Sequence, residues 1–119
     1  MNISSADGGT QLSVDGAMAN IIDTKTTTVI GSLHLRGLPS HVAISNNRQY
    51  VAAALQELLG TDLYIFKKED HQWSMILVGR AMRALHEITW VEADTPGYPP
   101  QELVMKNQDG EKHYMPDGK

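Results

Sequence analysis

Turn-forming residues recur so often along this chain that few stretches between them exceed the length of a strand. Asp7-Gly8-Gly9, Asp15-Gly16, Gly37-Leu38-Pro39, Asn46-Asn47, Gly60, Gly79, Pro96-Gly97, Asp109-Gly110 and Asp117-Gly118 divide it. Glycine and asparagine tolerate positive φ and proline presets a turn position, so each cluster predicts a reversal. Between them lie runs of β-branched and aromatic residues: Thr26 to Ile30, His41 to Ser45, Asp62 to Phe66 and Glu87 to Val91. Length and composition both make these strands. The clearest pair, Leu63 to Lys67 and Trp73 to Val78, flanks the charged Lys68-Glu69-Asp70-His71-Gln72 and predicts a hairpin. Leu63, Ile65, Trp73, Met75 and Leu77 alternate there as the buried face of a half-exposed pair. Downstream, Gln101 to Met105 and Glu111 to Met115 pair across Asn107-Gln108-Asp109-Gly110, after the proline-rich loop Asp94 to Pro100.

Composition sets the outer bounds. A chain of 119 residues suits one domain with a modest core. With no cysteine, disulfides, thiolate metal sites and cysteine nucleophiles are excluded. Ten Lys and Arg against 14 Asp and Glu leave a formal charge of −4, which argues against nucleic acid as a partner. No apolar run approaches the roughly 20 residues of a membrane helix, so no membrane partner is expected. Met1-Asn2-Ile3-Ser4-Ser5 lacks the features of a signal peptide, and the compartment stays open.

One segment reads two ways. From Asn46 to Gly60, a cap at Ser45 or Asn46, an Ala- and Leu-rich interior and a terminal glycine describe a helix over about 46–59. Alternatively, Asn46-Asn47 is a tight turn and Gln49 to Leu55 returns as a strand on His41 to Ser45. The first gives an α+β domain, the second an all-β one.

A repeat favours the second. Asn20 to Leu33 is an apolar strand, a polar turn and a β-branched strand, and Asp62 to Gly79 repeats that layout about forty residues later. Ile22-Asp23-Thr24-Lys25-Thr26-Thr27-Thr28-Val29 and Pro39-Ser40-His41-Val42-Ala43-Ile44-Ser45, with Tyr50-Val51-Ala52 following, resemble the blade repeat of YVTN-type β-propellers. The chain departs from that pattern at Asn46-Asn47-Arg48, where such blades carry Pro-Asp-Gly. Ser5 to Thr10 is similar to an Asp-box turn but lacks its following aromatic. The resemblance implies an all-β fold of propeller-like antiparallel four-stranded blades forming an incomplete ring. Residues 1–119 would make one domain of about three units, 3–36, 37–80 and 81–119. A closed propeller needs four to eight blades, so the flanks would call for a second copy or a protein partner at an open edge.

Candidate chemistry is sparse. The histidines, His34, His41, His71, His86 and His113, show no metal-ligand spacing. No nucleophile elbow or phosphate loop is present, and no metal, cofactor or catalytic residue is assigned. Polar groups concentrate at two equivalent connections: Arg36 and His41 in one, Arg80, Arg83 and His86 in the next. In the resembled fold these connections gather at one mouth of the ring, which makes the five the candidate ligand or partner site. The expected function is a non-enzymatic interaction module, of the kind that includes inhibitor and immunity proteins. The competing reading is an enzyme or small-molecule binder with a pocket at the mouth of an oligomeric propeller.

Overall fold

The computed structural model describes residues 1–118 and contains strands only among them. Three antiparallel sheets follow one another along the chain. The first holds β1 (Asn2–Ser4), β2 (Thr10–Asp15), β3 (Met18–Asp23) and β4 (Thr28–His34) in that order. The second holds β5 (Pro39–Ile44), β6 (Tyr50–Glu57), β7 (Gly60–Glu69) and β8 (Gln72–Met82). The third has β9 (Leu85–Val91), β10 (Glu102–Asn107) and β11 (Gly110–Tyr114), with β10 in the middle. Each is a meander, so the fold is all-β with blade-like sheets. The helix alternative over 46–59 is overturned: Tyr50–Glu57 is the second strand of the middle sheet, paired with β5 and β7.

The reason lies in where that strand stands. The middle sheet is covered on both faces. Val51, Ala53 and Leu55 join Val42, Ile44 and Phe66 against Leu12, Val14, Ala19, Ile21 and Leu33 of the first sheet. Tyr50, Ala52 and Ala54, with Ala43, Leu63 and Ile65, meet Ile88, Trp90, Leu103 and Met105 of the third. Six consecutive residues of β6, Tyr50 to Leu55, are buried. A strand without a solvent face loses its polar alternation, and its alanines leave room for the larger side chains opposite. Those two properties are also what a helix-forming sequence looks like.

Double burial also corrects the face assignment in the β7–β8 hairpin. Leu63 and Ile65 face the third sheet, whereas Trp73 and Met75 pack toward the first, opposite Lys68 and Phe66 in register. The strands also run further than the turn residues imply. The hairpin tip is only Asp70-His71, and β8 passes through Gly79 to Met82.

Two turns are built alike. In the first sheet Ser5 N–H bonds to Thr10 C=O, Thr10 N–H to Ser5 Oγ, Gly8 N–H to Ser5 C=O and Gly9 N–H to Asp7 Oδ1. In the second, Ser45, Tyr50, Arg48, Asn47 and Gln49 make the same four bonds. Gly8 and Arg48 hold the equivalent positive φ, 72° and 65°. An arginine there costs about 1 kcal/mol in backbone strain. It offsets the cost by reaching into the first turn: Nε donates to Thr10 Oγ1 at 2.7 Å, Nη2 to Gly9 C=O at 2.9 Å, and Asp23 lies at 3.5 Å.

Two stability outcomes follow from this packing. Ala52→Leu, placed between filled faces, is expected to lower unfolding free energy by about 1–3 kcal/mol in urea titration. Ser45→Ala strips the acceptor from the buried Tyr50 N–H and should cost about 1–3 kcal/mol in the same assay.

Candidate functional site

The first strands of the three sheets come together. β1, β5 and β9 line one open groove of about 460 Å³. Its walls contain Ser40 to Ile44 of β5 and His86 to Trp90 of β9 without a gap, beside Met1, Ile3 and Ser4. Successive strand residues point to opposite faces, so walls made of consecutive residues are strand edges. Each of the three strands pairs on one side only, with β2, β6 and β10 respectively. The groove is therefore bordered by unpaired backbone donors and acceptors, with Val42, Ile44, Ile88 and Trp90 as apolar backing. Trp90 is fixed: its ring N–H donates to Ala43 C=O at 3.1 Å, and it packs T-shaped with Tyr50, ring centroids 5.8 Å apart.

The polar groups separate by end. At the end of the β5–β6 turn, a relay crosses all three sheets. Asp7 N–H donates to Asn46 Oδ1 at 3.0 Å, and Asn46 N–H donates to Glu92 Oε2 at 2.9 Å. Glu92 lines both the groove and an adjoining recess with Asp94 and Tyr98. Burial, then the Asp7 charge, pushes its carboxyl above the usual range, against the pull of the Asn46 N–H. Asp7 moves the other way, held down by the Gly9 N–H and the Ser5 hydroxyl.

At the opposite end stand His41 and His86, the two sequence candidates that share the groove. His41 Nδ1 lies 3.1 Å from Ser40 Oγ, itself 3.4 Å from Ala54 C=O. The described residues contain no cluster of three metal-ligating side chains. Arg83 shares a neighbouring recess with His41 and pairs with Asp109 at 3.6 Å. Arg80 is still on β8, in a separate recess beside the β6–β7 tip. Arg36 lies in another, between β4 and Phe66, Trp73 and Met75 of β7 and β8.

The five residues separate because each connection between sheets starts at an outer strand and ends at an inner one. Arg36 and Arg80 sit where the chain leaves β4 and β8, at the rim. His41 and His86 sit where it has reached β5 and β9. The Asp7–Asn46–Glu92 relay was not among the candidates. The two turns that carry it, Ser5-Ala6-Asp7-Gly8 and Ser45-Asn46-Asn47-Arg48, stand forty residues apart, but Asp7 and Asn46 hold different positions in them, so the repeat does not mark the relay.

No family model, curated protein or solved structure matches this chain.

Glu92 supplies a pH-dependent outcome. A carboxyl with a raised pKa binds its proton more tightly when folded, so the stability it contributes is gained as pH falls and lost as pH rises through that pKa. Glu92→Gln keeps an acceptor for Asn46 and removes the charge. The variant should melt above the parent at neutral pH, with the difference closing as the solution is acidified through the Glu92 titration. A lower melting temperature at neutral pH would contradict it.

Proposed function

We propose that this chain is a non-enzymatic binding module of YVTN-like propeller blades, and that its groove takes an extended segment of a protein partner. The observation that carries the reading is the bordering of one groove by the free edges of β1, β5 and β9. An extended peptide satisfies such an edge by adding a strand, its main chain giving affinity and its side chains reading the backing residues. The segment's apolar side chains would lie over Ile3 and along the margins of Val42, Ile44, Ile88 and Trp90, whose side chains are otherwise packed in the two cores. Glu92 at one end and the imidazoles of His41 and His86 at the other give the groove a direction. The Ser5 and Ser45 turns support the blade reading, because the same four hydrogen bonds close both.

A smaller ligand is the competing occupant, favoured by the Ser40–His41 pair and His86 facing the same space. The two separate cleanly, since a small ligand depends on the imidazoles whereas an added strand depends on the backbone.

Selection of a displayed random-peptide library on the immobilised protein tests the proposal. Enriched peptides should be extended and apolar, and should slow amide exchange on β5 and β9. Ser4→Trp, at an exposed position on the groove wall, should abolish their binding without changing the melting temperature. His41→Ala with His86→Ala should weaken it only a few-fold. Failure to enrich, or protection on other strands, would sink the reading.

A further inference from the structure

The tip joining β6 to β7 is two residues long, with Glu57 and Gly60 paired across it. Those two residues are Leu58 and Leu59, exposed to 103% and 89%. Hairpin tips favour Gly, Asn, Asp and other polar residues, and the β7–β8 tip of this chain obeys with Asp70-His71. Neither leucine contributes to either core cluster. Leu38, 61% exposed, stands in the neighbouring connection, where its carbonyl accepts from Gln56 N–H at 3.0 Å. The tip is also held in place. Gly60 has φ 142°, and a Cβ there would come within 3.0–3.2 Å of the Ala81–Met82 backbone. Three apolar side chains are thus presented on a fixed support at one end of the molecule.

The charges around them indicate what covers them. Glu57, Asp62 and Arg80 border the same recess as Leu58 and Leu59, and Arg83, paired with Asp109, lies in the next one beside Leu59. Neither sign dominates, so a strongly acidic or strongly basic surface would meet like charges. A surface with an apolar centre and both signs at its edge is self-complementary, as a two-fold interface between identical subunits requires. The outer face of the third sheet is less suited to a second copy. Its Glu87, Glu102, Lys106, Glu111 and His113 already pair with one another, and covering them would desolvate charges.

We infer that a second copy of this chain docks end to end here, with Leu38, Leu58 and Leu59 of each subunit at the centre of a two-fold contact. The patch is smaller than the roughly 800 Å² per partner of a standard stable interface, so the dimer is weak and concentration-dependent. The leucine tip adjoins the His41 end of the groove, where Ser40 and His41 share a recess with Leu59, but the inference does not rest on what the groove binds.

Sedimentation velocity up to about 1 mM protein, the weak end of measurable affinities, reads the association directly. The parent should move from monomer to dimer with concentration, and Leu58→Ser/Leu59→Ser should stay monomeric with an unchanged melting temperature. Because the chain has no cysteine, Leu58→Cys provides a second readout. It should form a disulfide-linked dimer on mild oxidation far faster than Ser13→Cys on the first sheet. A parent that remains monomeric, a serine variant that still dimerises, or equal cross-linking at the two cysteines would overturn the inference. A monomer that instead binds lipid vesicles through the leucines would overturn it too.

Discussion

Burial of the middle sheet on both faces is the constraint from which the rest of this structure follows. One sheet supplies a wall to each of two cores, so three small sheets hold together through shared packing in a chain with no cysteine. Leu12, Val14 and Leu33 fill one side and Trp90, Leu103 and Met105 the other. The alanines of β6 stand between them with no exposed surface. Hydrophobic burial is non-directional, and the direction comes from the backbone: β6 pairs with β5 and β7 along its length, fixing which residue meets which core.

That constraint also decides what could be read before the fold was known. Strands with one wet face announce themselves, and Leu12, Val14, Ala19 and Ile21 alternate with polar residues in the usual way. The tail hairpin and the charged tip after β7 are equally plain. β6 misleads because helix propensity rewards alanine for losing no side-chain entropy, while this strand uses alanine for its small size between two packed faces. In β8 the opposite problem arises: with Trp73 and Met75 serving one core and Val78 the other, alternation no longer marks a single inside.

The candidate site was only half legible. Chemical type and chain position singled out five candidates, of which the fold brings His41 and His86 to one groove. Arg36 and Arg80 carry similar chemistry a few residues away, but the width of a whole sheet intervenes between an outer strand and an inner one. The turn relay was hidden for another reason. Its members are an Asp, an Asn and a Glu in three different local contexts, joined through backbone N–H groups that no side-chain pattern reveals. Arg48 shows how a departure from a familiar motif acquires meaning. Where the resembled blade has glycine, this chain accepts a strained backbone and gains a guanidinium that fastens two neighbouring turns.

The path of the connections has a mechanical consequence. Each crossing between sheets ties a peripheral strand to a central one through a short stretch of chain, Leu35 to Leu38 in one case and Arg83-Ala84 in the other. The loop end of β5 is further anchored where Leu38 receives the Gln56 N–H. Any molecule that displaced the start of β5 or β9 would therefore pull on the outer margin of the preceding sheet. Such a pull would make the perimeter sensitive to what occupies the centre, with no hinge in between.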